Sequence, residues 1–224
     1  MENTTMNKKK LTALAASLSL VAVVGIGATL AYFTDQASTQ NTVSMGHVDI
    51  DLVEHQVTRD ENGNWVNDEQ PITSDGLVFT DVYPGETVEK DPTVTLASGS
   101  GDAYVRVRMT LNAEGSEFTA ADMSALKENI DREIAESGRW YEAADGYYYY
   151  NTALTSEAPS AVLFEEVTLP GAAWKNNTAS QTFRIELQAE AIQSDYFTPQ
   201  TSGGMITGWV DENGDAITAE TYTE

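Results

Sequence analysis

Three stretches of the chain alternate apolar and polar residues with a period of two, and this pattern constrains the fold more than any other sequence feature. The stretches cover residues 48–52, 103–111 and 183–191. Successive side chains of a β-strand point to opposite faces, so this period predicts strands with one face in a core and the other in water. In the second and third stretches, Arg106 and Glu190 fall on the side predicted to face water.

Turn residues between these stretches support an antiparallel arrangement. Asn62-Gly63 lies between apolar residues and predicts the turn of a hairpin. Many short strands separated by glycine and proline turns are typical of an all-β fold, here an antiparallel β-sandwich. Shorter strands are predicted over residues 77–82, 87–96, 162–169 and 205–210.

One segment departs from the strand pattern. Met123, Leu126, Ile130 and Ile134 recur at helical spacing, which predicts one amphipathic helix inserted at about residues 119–138. Thr119 is the predicted N-cap of this helix. We expect the apolar stripe to face the protein's own core, with partner binding as the alternative.

Composition limits the classes of function. The chain has no cysteine, so no disulfide framework can stabilise it. The formal net charge is −23, and a surface of this sign repels nucleic acid and anionic lipid. We therefore expect no nucleic-acid partner, and we expect contact with a membrane only through the N-terminal segment described next.

The N-terminal region has the features of a secretory signal peptide. A basic start at residues 8–10 precedes an apolar run over residues 11–30. Thr29 and Ala31 are small residues at the −3 and −1 positions of a cleavage site that leaves Tyr32 as the new N-terminus. A retained membrane anchor is the alternative, because about 20 apolar residues also span a bilayer core. Either way, residues 32–224 are expected to be exported.

The signal region and several later segments also carry a family resemblance. With these residues, the chain resembles the TasA/camelysin family, exported proteins of Gram-positive bacteria that a dedicated signal peptidase processes. The signal region is the most specific part of this resemblance. The matching segments are Lys8-Lys9-Lys10, Ala31-Tyr32-Phe33-Thr34-Asp35, Gly46-His47-Val48-Asp49-Ile50-Asp51-Leu52, Val82-Tyr83-Pro84-Gly85-Glu86-Thr87, Asp145-Gly146-Tyr147-Tyr148-Tyr149-Tyr150 with Leu163-Phe164 and Val167-Thr168-Leu169, and Ile185-Glu186-Leu187-Gln188-Ala189-Glu190-Ala191-Ile192-Gln193.

The resemblance implies a jelly-roll sandwich and a structural role. The signal-peptide features and the polar composition after residue 210 divide the chain into a signal peptide (1–31), a β-sandwich domain (32–210) and a polar C-terminal tail (211–224). Filament-forming members of the family donate the N-terminal strand of one subunit to the sheet of the next. In this chain the implied donor begins at Tyr32, Phe33, Thr34 and Asp35 and continues to Val43. The implied partners are a signal peptidase during export, further copies of the chain and related matrix subunits.

We expect no catalytic activity, although camelysin relatives are described as metallopeptidases. The chain has only two histidines, His47 and His55, and lacks the two-histidine helical zinc motif. Eight residues of extended strand separate them by roughly 26 Å, so one zinc ion cannot bind both without a reversal of the chain. Neither a catalytic residue nor a resident cofactor is predicted.

Two loops have a faint likeness to calcium loops. They begin at Asp60 and Asp211, and each has the sequence Asp-Glu-Asn-Gly. Counted from either aspartate, the glycine and glutamate that an EF-hand needs at its sixth and twelfth positions are missing. Weak calcium binding at the surface stays open.

A run of aromatic residues is the last candidate site. Tyr147, Tyr148, Tyr149 and Tyr150 follow the Asp145-Gly146 turn, and Trp140 and Tyr141 precede it. Alternate rings of a strand lie on opposite faces, so packing within a hairpin is the first interpretation. The alternative is an exposed patch that binds a subunit or a glycan.

Taken together, the sequence predicts a secreted protein of the cell surface or biofilm matrix that forms or decorates extracellular fibres. Two alternatives remain, a camelysin-like metalloendopeptidase and a monomeric surface adhesin.

Overall fold

The structure is a computed structural model of the full chain. It describes residues 34–37, 48–72, 82–114, 118–174, 178, 182–195, 197–211 and 213–217. Contacts divide the chain into two units, Met1–Tyr32 and Phe33–Glu224. Everything described here lies in the second unit.

Strands dominate the described residues, and one helix interrupts them. The helix, α1, covers Ala120–Glu136. The strands are β1 (Thr34–Ala37), β2 (Ile50–Arg59), β3 (Trp65–Ile72), β4 (Thr87–Glu89), β5 (Thr93–Leu96), β6 (Ala103–Glu114), β7 (Trp140–Glu142), β8 (Tyr147–Tyr150), β9 (Ser160–Val162), β10 (Glu166–Thr168), β11 (Thr182–Gln193), β12 (Gln200–Ser202) and β13 (Met205–Gly208).

The strands form two larger sheets and two short pairs, and every pairing between them is antiparallel. The five-stranded sheet has the order β1-β11-β6-β8-β7, and the four-stranded sheet has the order β3-β2-β5-β9. The short pairs are β4 with β10 and β12 with β13. The all-β, antiparallel class predicted from the sequence is therefore confirmed.

Both larger sheets contribute buried side chains to one hydrophobic core. Ile50, Leu52 and Val94 come from the four-stranded sheet, and Val105 and Val107 come from the five-stranded sheet. Except for Val94, these are apolar positions of the period-two stretches, so the alternation correctly identified the core-facing sides of β2, β6 and β11. The other core residues on β6 and β11 are Ala103, Ala189 and Ala191.

The outer face of the five-stranded sheet corrects a prediction. Arg106 and Glu190 were expected to face water, but they are only 3% and 1% exposed. Residues 197–211 and 213–217, called the C-terminal segment below, cover this face. Phe197 packs against Tyr104 and Trp209 packs against Tyr149, with ring centroids 6.2 and 5.7 Å apart. The alternation was right about the strand, but it could not reveal a further layer on its polar side.

The described start of the predicted polar tail forms backbone hydrogen bonds with the residues before it, although residues 213–216 are exposed. Val210 bridges to Ala216, and the Ile217 N–H donates to the Trp209 carbonyl. The predicted boundary at residue 211 stays a prediction. Residues 218–224 lie outside the described residues.

The inserted helix matches its prediction closely. Thr119 caps it with a capping box, in which the Thr119 side chain accepts from the Asp122 N–H and the Asp122 carboxylate accepts from the Thr119 N–H. Leu126, Ile130 and Ile134 are buried in the core. The apolar stripe thus faces the protein's own core, as expected.

The shorter predicted strands were partly right. The hairpin at Asn62-Gly63 joins β2 and β3 as predicted, and Gly63 has the positive φ of such a turn. The single strand predicted over 87–96 is two strands, β4 and β5, and the one predicted over 162–169 contains β10 and the last residue of β9. The strand predicted over 205–210 ends at Gly208. Most of the strand predicted over 77–82 lies outside the described residues. Within the described part of the chain, no helix combines the length and apolarity needed to cross a membrane.

Candidate functional site at the edge of the five-stranded sheet

The N-terminal strand β1 lies at one edge of the five-stranded sheet. It pairs antiparallel with β11, with Thr34 opposite Ile192 and Ala37 opposite Ala189. Thr34 and Asp35 of the predicted donor segment are therefore part of this pairing. Tyr32, Phe33 and Val43 of that segment lie outside the described residues, as do Thr29 and Ala31 of the predicted cleavage site.

The part of β11 that receives β1 is fully buried. Ala189, Ala191 and Ile192 have no exposed surface, and Glu190 is 1% exposed. On its other side, β11 pairs along its whole length with β6. β1 is short, with four residues against the twelve of β11. β1 therefore pairs with a strand, β11, whose position is already fixed by its pairing with β6.

One row of residues runs across all five strands from this edge. Gln36 lies opposite Glu190, Glu190 opposite Arg106, Arg106 opposite Tyr149, and Tyr149 opposite Tyr141. Residues directly opposite in an antiparallel pair have Cβ atoms about 4.5–5.5 Å apart, and within this row Arg106 hydrogen-bonds to both Glu190 and Tyr149. The row leads from β1, at the edge of the sheet, to residues on the outer face of the other four strands.

A buried ion pair forms the centre of this row. Arg106 Nε and Nη2 donate to Glu190 Oε2 over 2.8 and 2.6 Å, and Arg106 Nη1 donates to the Tyr149 hydroxyl over 2.9 Å. The Tyr147 hydroxyl donates to Glu190 Oε1 over 2.8 Å. Burial by itself would lower the pKa of Arg106, but the Glu190 charge and the Tyr149 hydroxyl raise it above its ordinary value. Arg106 is therefore charged at neutral pH.

Aromatic rings enclose the guanidinium group on the outer face. Its central carbon lies 4.0 Å from the centroid of Tyr147 and 4.3 Å from that of Trp209. The C-terminal segment also supplies the Ile217 carbonyl, which accepts from Arg106 Nη2 over 3.1 Å. The guanidinium thus contacts carboxylate, hydroxyl and carbonyl oxygens while two rings pack against it, an arrangement that suits the planar shape of arginine.

The six aromatic residues singled out in the sequence do not form one exposed patch. Trp140 pairs with Tyr150 and Tyr141 pairs with Tyr149 across the hairpin of β7 and β8. Trp140, Tyr148 and Tyr149 are buried, Tyr147 and Tyr150 are half-buried, and Tyr141 is 40% exposed. Packing within the hairpin, the first interpretation, describes their arrangement.

His55 on β2 is hydrogen-bonded to Asp91. Its backbone N–H and its Nδ1 lie 3.0 and 2.6 Å from the two carboxylate oxygens of Asp91. The neighbouring Glu54 forms a salt bridge with Lys90. Among the described residues, no group of three or more histidine, aspartate or glutamate side chains is placed to hold a metal ion. His47, the other candidate ligand, lies outside these residues.

The two Asp-Glu-Asn-Gly loops use their first carboxylate for local hydrogen bonds. Asp60 Oδ1 accepts from the Asn62 and Asn64 N–H groups, and Asp211 Oδ1 accepts from those of Asn213 and Asp215. These bonds lower the pKa of both aspartates. The two carboxylates therefore stabilise their own turns, and weak calcium binding there has no added support.

The Arg106–Glu190 pair is the feature of this site that the sequence did not suggest. A charged residue in an alternating strand normally marks the side in water. The available signal was the presence of two large aromatic residues, Phe197 and Trp209, near the end of the chain. Such residues usually pack against another apolar surface of the protein. Nothing in the sequence links those residues to β6 or β11.

We compared the chain with protein-family models, curated proteins and solved structures, and none of them matches it.

Proposed function

We propose that this protein is a secreted structural protein of the cell surface or extracellular matrix, and that it assembles into fibres by donating its N-terminal strand to the sheet of a neighbouring copy. It acts by assembly rather than by catalysis, and its domain is a jelly-roll-like sandwich. The observation that carries this proposal is the position of β1. A short strand at the very start of the predicted mature chain occupies the edge of the five-stranded sheet.

Strand exchange follows from the physics of this edge. β1 reaches β11 through backbone hydrogen bonds, and the same bonds form whether the strand belongs to the same chain or to another. A net hydrogen bond contributes only about 0.5–1.5 kcal/mol, so a strand of four residues can leave and return without unfolding the sheet behind it. Exchange therefore replaces one set of contacts with an equivalent set.

Removal of the signal peptide supplies the switch. Only Tyr32 and Phe33 separate the predicted cleavage bond after Ala31 from Thr34, the first paired residue. Two extended residues span roughly 7 Å, so a strand still joined to a membrane-bound signal cannot move to a neighbouring subunit. Cleavage by a signal peptidase releases it outside the cell.

An engineered disulfide tests this proposal. The chain has no cysteine, so Ala37→Cys combined with Ala189→Cys introduces one possible pair of thiols. The two alanines are directly opposite in register, and Cα atoms so placed lie about 4.5–5.5 Å apart, within the range of a disulfide. We expect the exported double variant, oxidised after assembly, to give a ladder of covalent oligomers on a non-reducing gel.

The controls separate donation from other modes of assembly. Each single cysteine variant should give no ladder beyond a dimer. A chain lacking residues 32–43 should form no fibres in negative-stain electron microscopy. Fibres from that deletion, or oxidised fibres that dissolve into disulfide-bonded monomers, would refute strand donation.

A monomeric surface or accessory protein is the second candidate, and one observation favours it. β1 pairs with β11 of its own chain, so the sheet edge is filled without any partner. For such a protein, the same double variant gives only an internally bonded monomer, and the mature chain elutes from a sizing column as a single species at every concentration.

A further inference from the structure

The buried carboxylate of Glu190 lies where it can discriminate between strands that dock on β11. It belongs to the four-residue stretch that pairs with β1, and position 36 lies directly opposite it. Its side chain is 1% exposed, so its charge is screened by protein groups rather than by water. The edge that receives the strand therefore presents a fixed carboxylate, paired with Arg106 on its other side, beside the backbone hydrogen bonds.

Surrounding residues hold this carboxylate in one position. Arg106 donates twice to Oε2 and Tyr147 once to Oε1. Arg106 itself is fixed by Tyr149, by the Ile217 carbonyl and by the ring of Trp209. With these partners in place, Glu190 cannot turn away from an incoming strand without breaking charge-assisted hydrogen bonds.

The N-terminal segment has few charged residues to place opposite the carboxylate of Glu190. The chain contains 35 acidic residues, yet residues 36–46 include neither an acid nor a base. The acid within β1, Asp35, lies opposite Ala191, whereas the uncharged Gln36 lies opposite Glu190. Like charges directly opposite each other in a sheet are destabilising, and the observed register avoids this contact.

Some other strands of the chain do carry acids, and β2 is an example. The start of β2 carries an acid at Asp51 and again at Glu54, and Asp49 precedes it. An open sheet edge accepts any strand through backbone hydrogen bonds, so an acidic chain at high local concentration needs a way to reject its own acidic segments.

We propose that Glu190, held by Arg106, is the specificity-determining residue of this sheet edge, and that it admits a strand with an uncharged or basic residue opposite it and rejects one with an acid there. The occupant selected in this way is the residue 34–37 strand of a second copy of the chain. That identification rests on the proposed function, whereas the selection by charge applies equally when the strand comes from the same chain.

The cysteine pair at positions 37 and 189 measures this selection. In that background, Gln36→Glu places an acid opposite Glu190, and Gln36→Lys places a base there. Thr34→Glu is the matched control, because it adds the same charge to the same strand but opposite the apolar Ile192. The readout is the ratio of bonded to free thiol at equilibrium in a glutathione buffer, with internal and intermolecular bonds counted together and folding checked by circular dichroism.

We expect Gln36→Glu to lower this ratio about tenfold, since an opposing like charge beside a poorly solvated carboxylate costs more than at an exposed sheet position. Gln36→Lys should leave the ratio unchanged or raise it, and Thr34→Glu should lower it less than about threefold. An equal loss in Gln36→Glu and Thr34→Glu, or no loss in Gln36→Glu, would overturn the inference. The fraction of bonds between chains tests strand donation separately, so one idea can fail while the other stands.

Discussion

Removing the charge of Arg106 while Glu190 stays in place is the sharpest test of how the outer face is built. Arg106→Met keeps an unbranched apolar side chain of similar reach between Tyr147 and Trp209. It leaves Glu190 with the Tyr147 hydroxyl but without its cationic partner. An ionised carboxylate that is 1% exposed is then buried without the cation that compensates its charge.

The structure gives the size of the effect. The change removes two charge-assisted hydrogen bonds to Glu190, one hydrogen bond to Tyr149 and one to the Ile217 carbonyl. Breaking a buried ion pair by deleting one partner costs about 3–5 kcal/mol. That loss is a large share of the roughly 5–15 kcal/mol that stabilises a typical domain.

Removing both charges together should cost far less. In Arg106→Met combined with Glu190→Leu, no unpaired charge remains, and replacement of a buried pair by apolar residues is often neutral or stabilising. The assay is urea unfolding followed by far-ultraviolet circular dichroism, which does not depend on the emission of Trp209. A single variant that loses less than about 1 kcal/mol, or a double variant as unstable as the single one, would show that Glu190 is not held as described.

Three further changes have definite expected results. Burial raises the pKa values of Tyr148 and Tyr149 above the unfolded-state value of about 10. Their contribution to stability is therefore complete below about pH 10 and is lost as the pH rises further. The urea midpoint should fall above about pH 10, and it should fall less steeply in Tyr148→Phe. Thr119→Ala removes the side-chain half of the capping box and should cost about 1 kcal/mol in the same assay. Gly171→Ala puts a Cβ 3.2 Å from the Gly85 Cα, so it should lower stability by about 1 kcal/mol. An unchanged midpoint would mean that the backbone segments around Gly85 and Gly171 can move apart.

Much of the fold follows from local sequence rules. Period-two alternation located β6 and β11 and the sides that face the core, because side-chain direction in a strand is fixed by the backbone. Helical spacing and the capping residue Thr119 located α1 to within two residues at either end. These features depend on neighbours in sequence, and so they can be predicted from sequence alone.

The candidate site depends on contacts between distant parts of the chain. Arg106 and Glu190 are 84 residues apart, and Ile217 is 111 residues from Arg106. A charged residue in an alternating strand has the same pattern whether it faces water or a covering layer. The β1 pairing was suggested by family resemblance as a donated strand, but no local rule gives its register on β11.

The stability of the fold does not by itself require charged residues at positions 106 and 190. Apolar residues at positions 106 and 190 would be compatible with the same strand pairing, and they would remove the cost of desolvating two charges. The outer face already contains Phe197, Trp209 and Ile192, so an apolar pair would have neighbours to pack against. Stability alone therefore gives no reason for the two charges to be there. Their position does give one, because Glu190 is the charged residue of β11 that directly faces β1. The double variant separates the two explanations: it should stay folded, and in the background of the cysteine pair it should no longer discriminate against an acid at position 36.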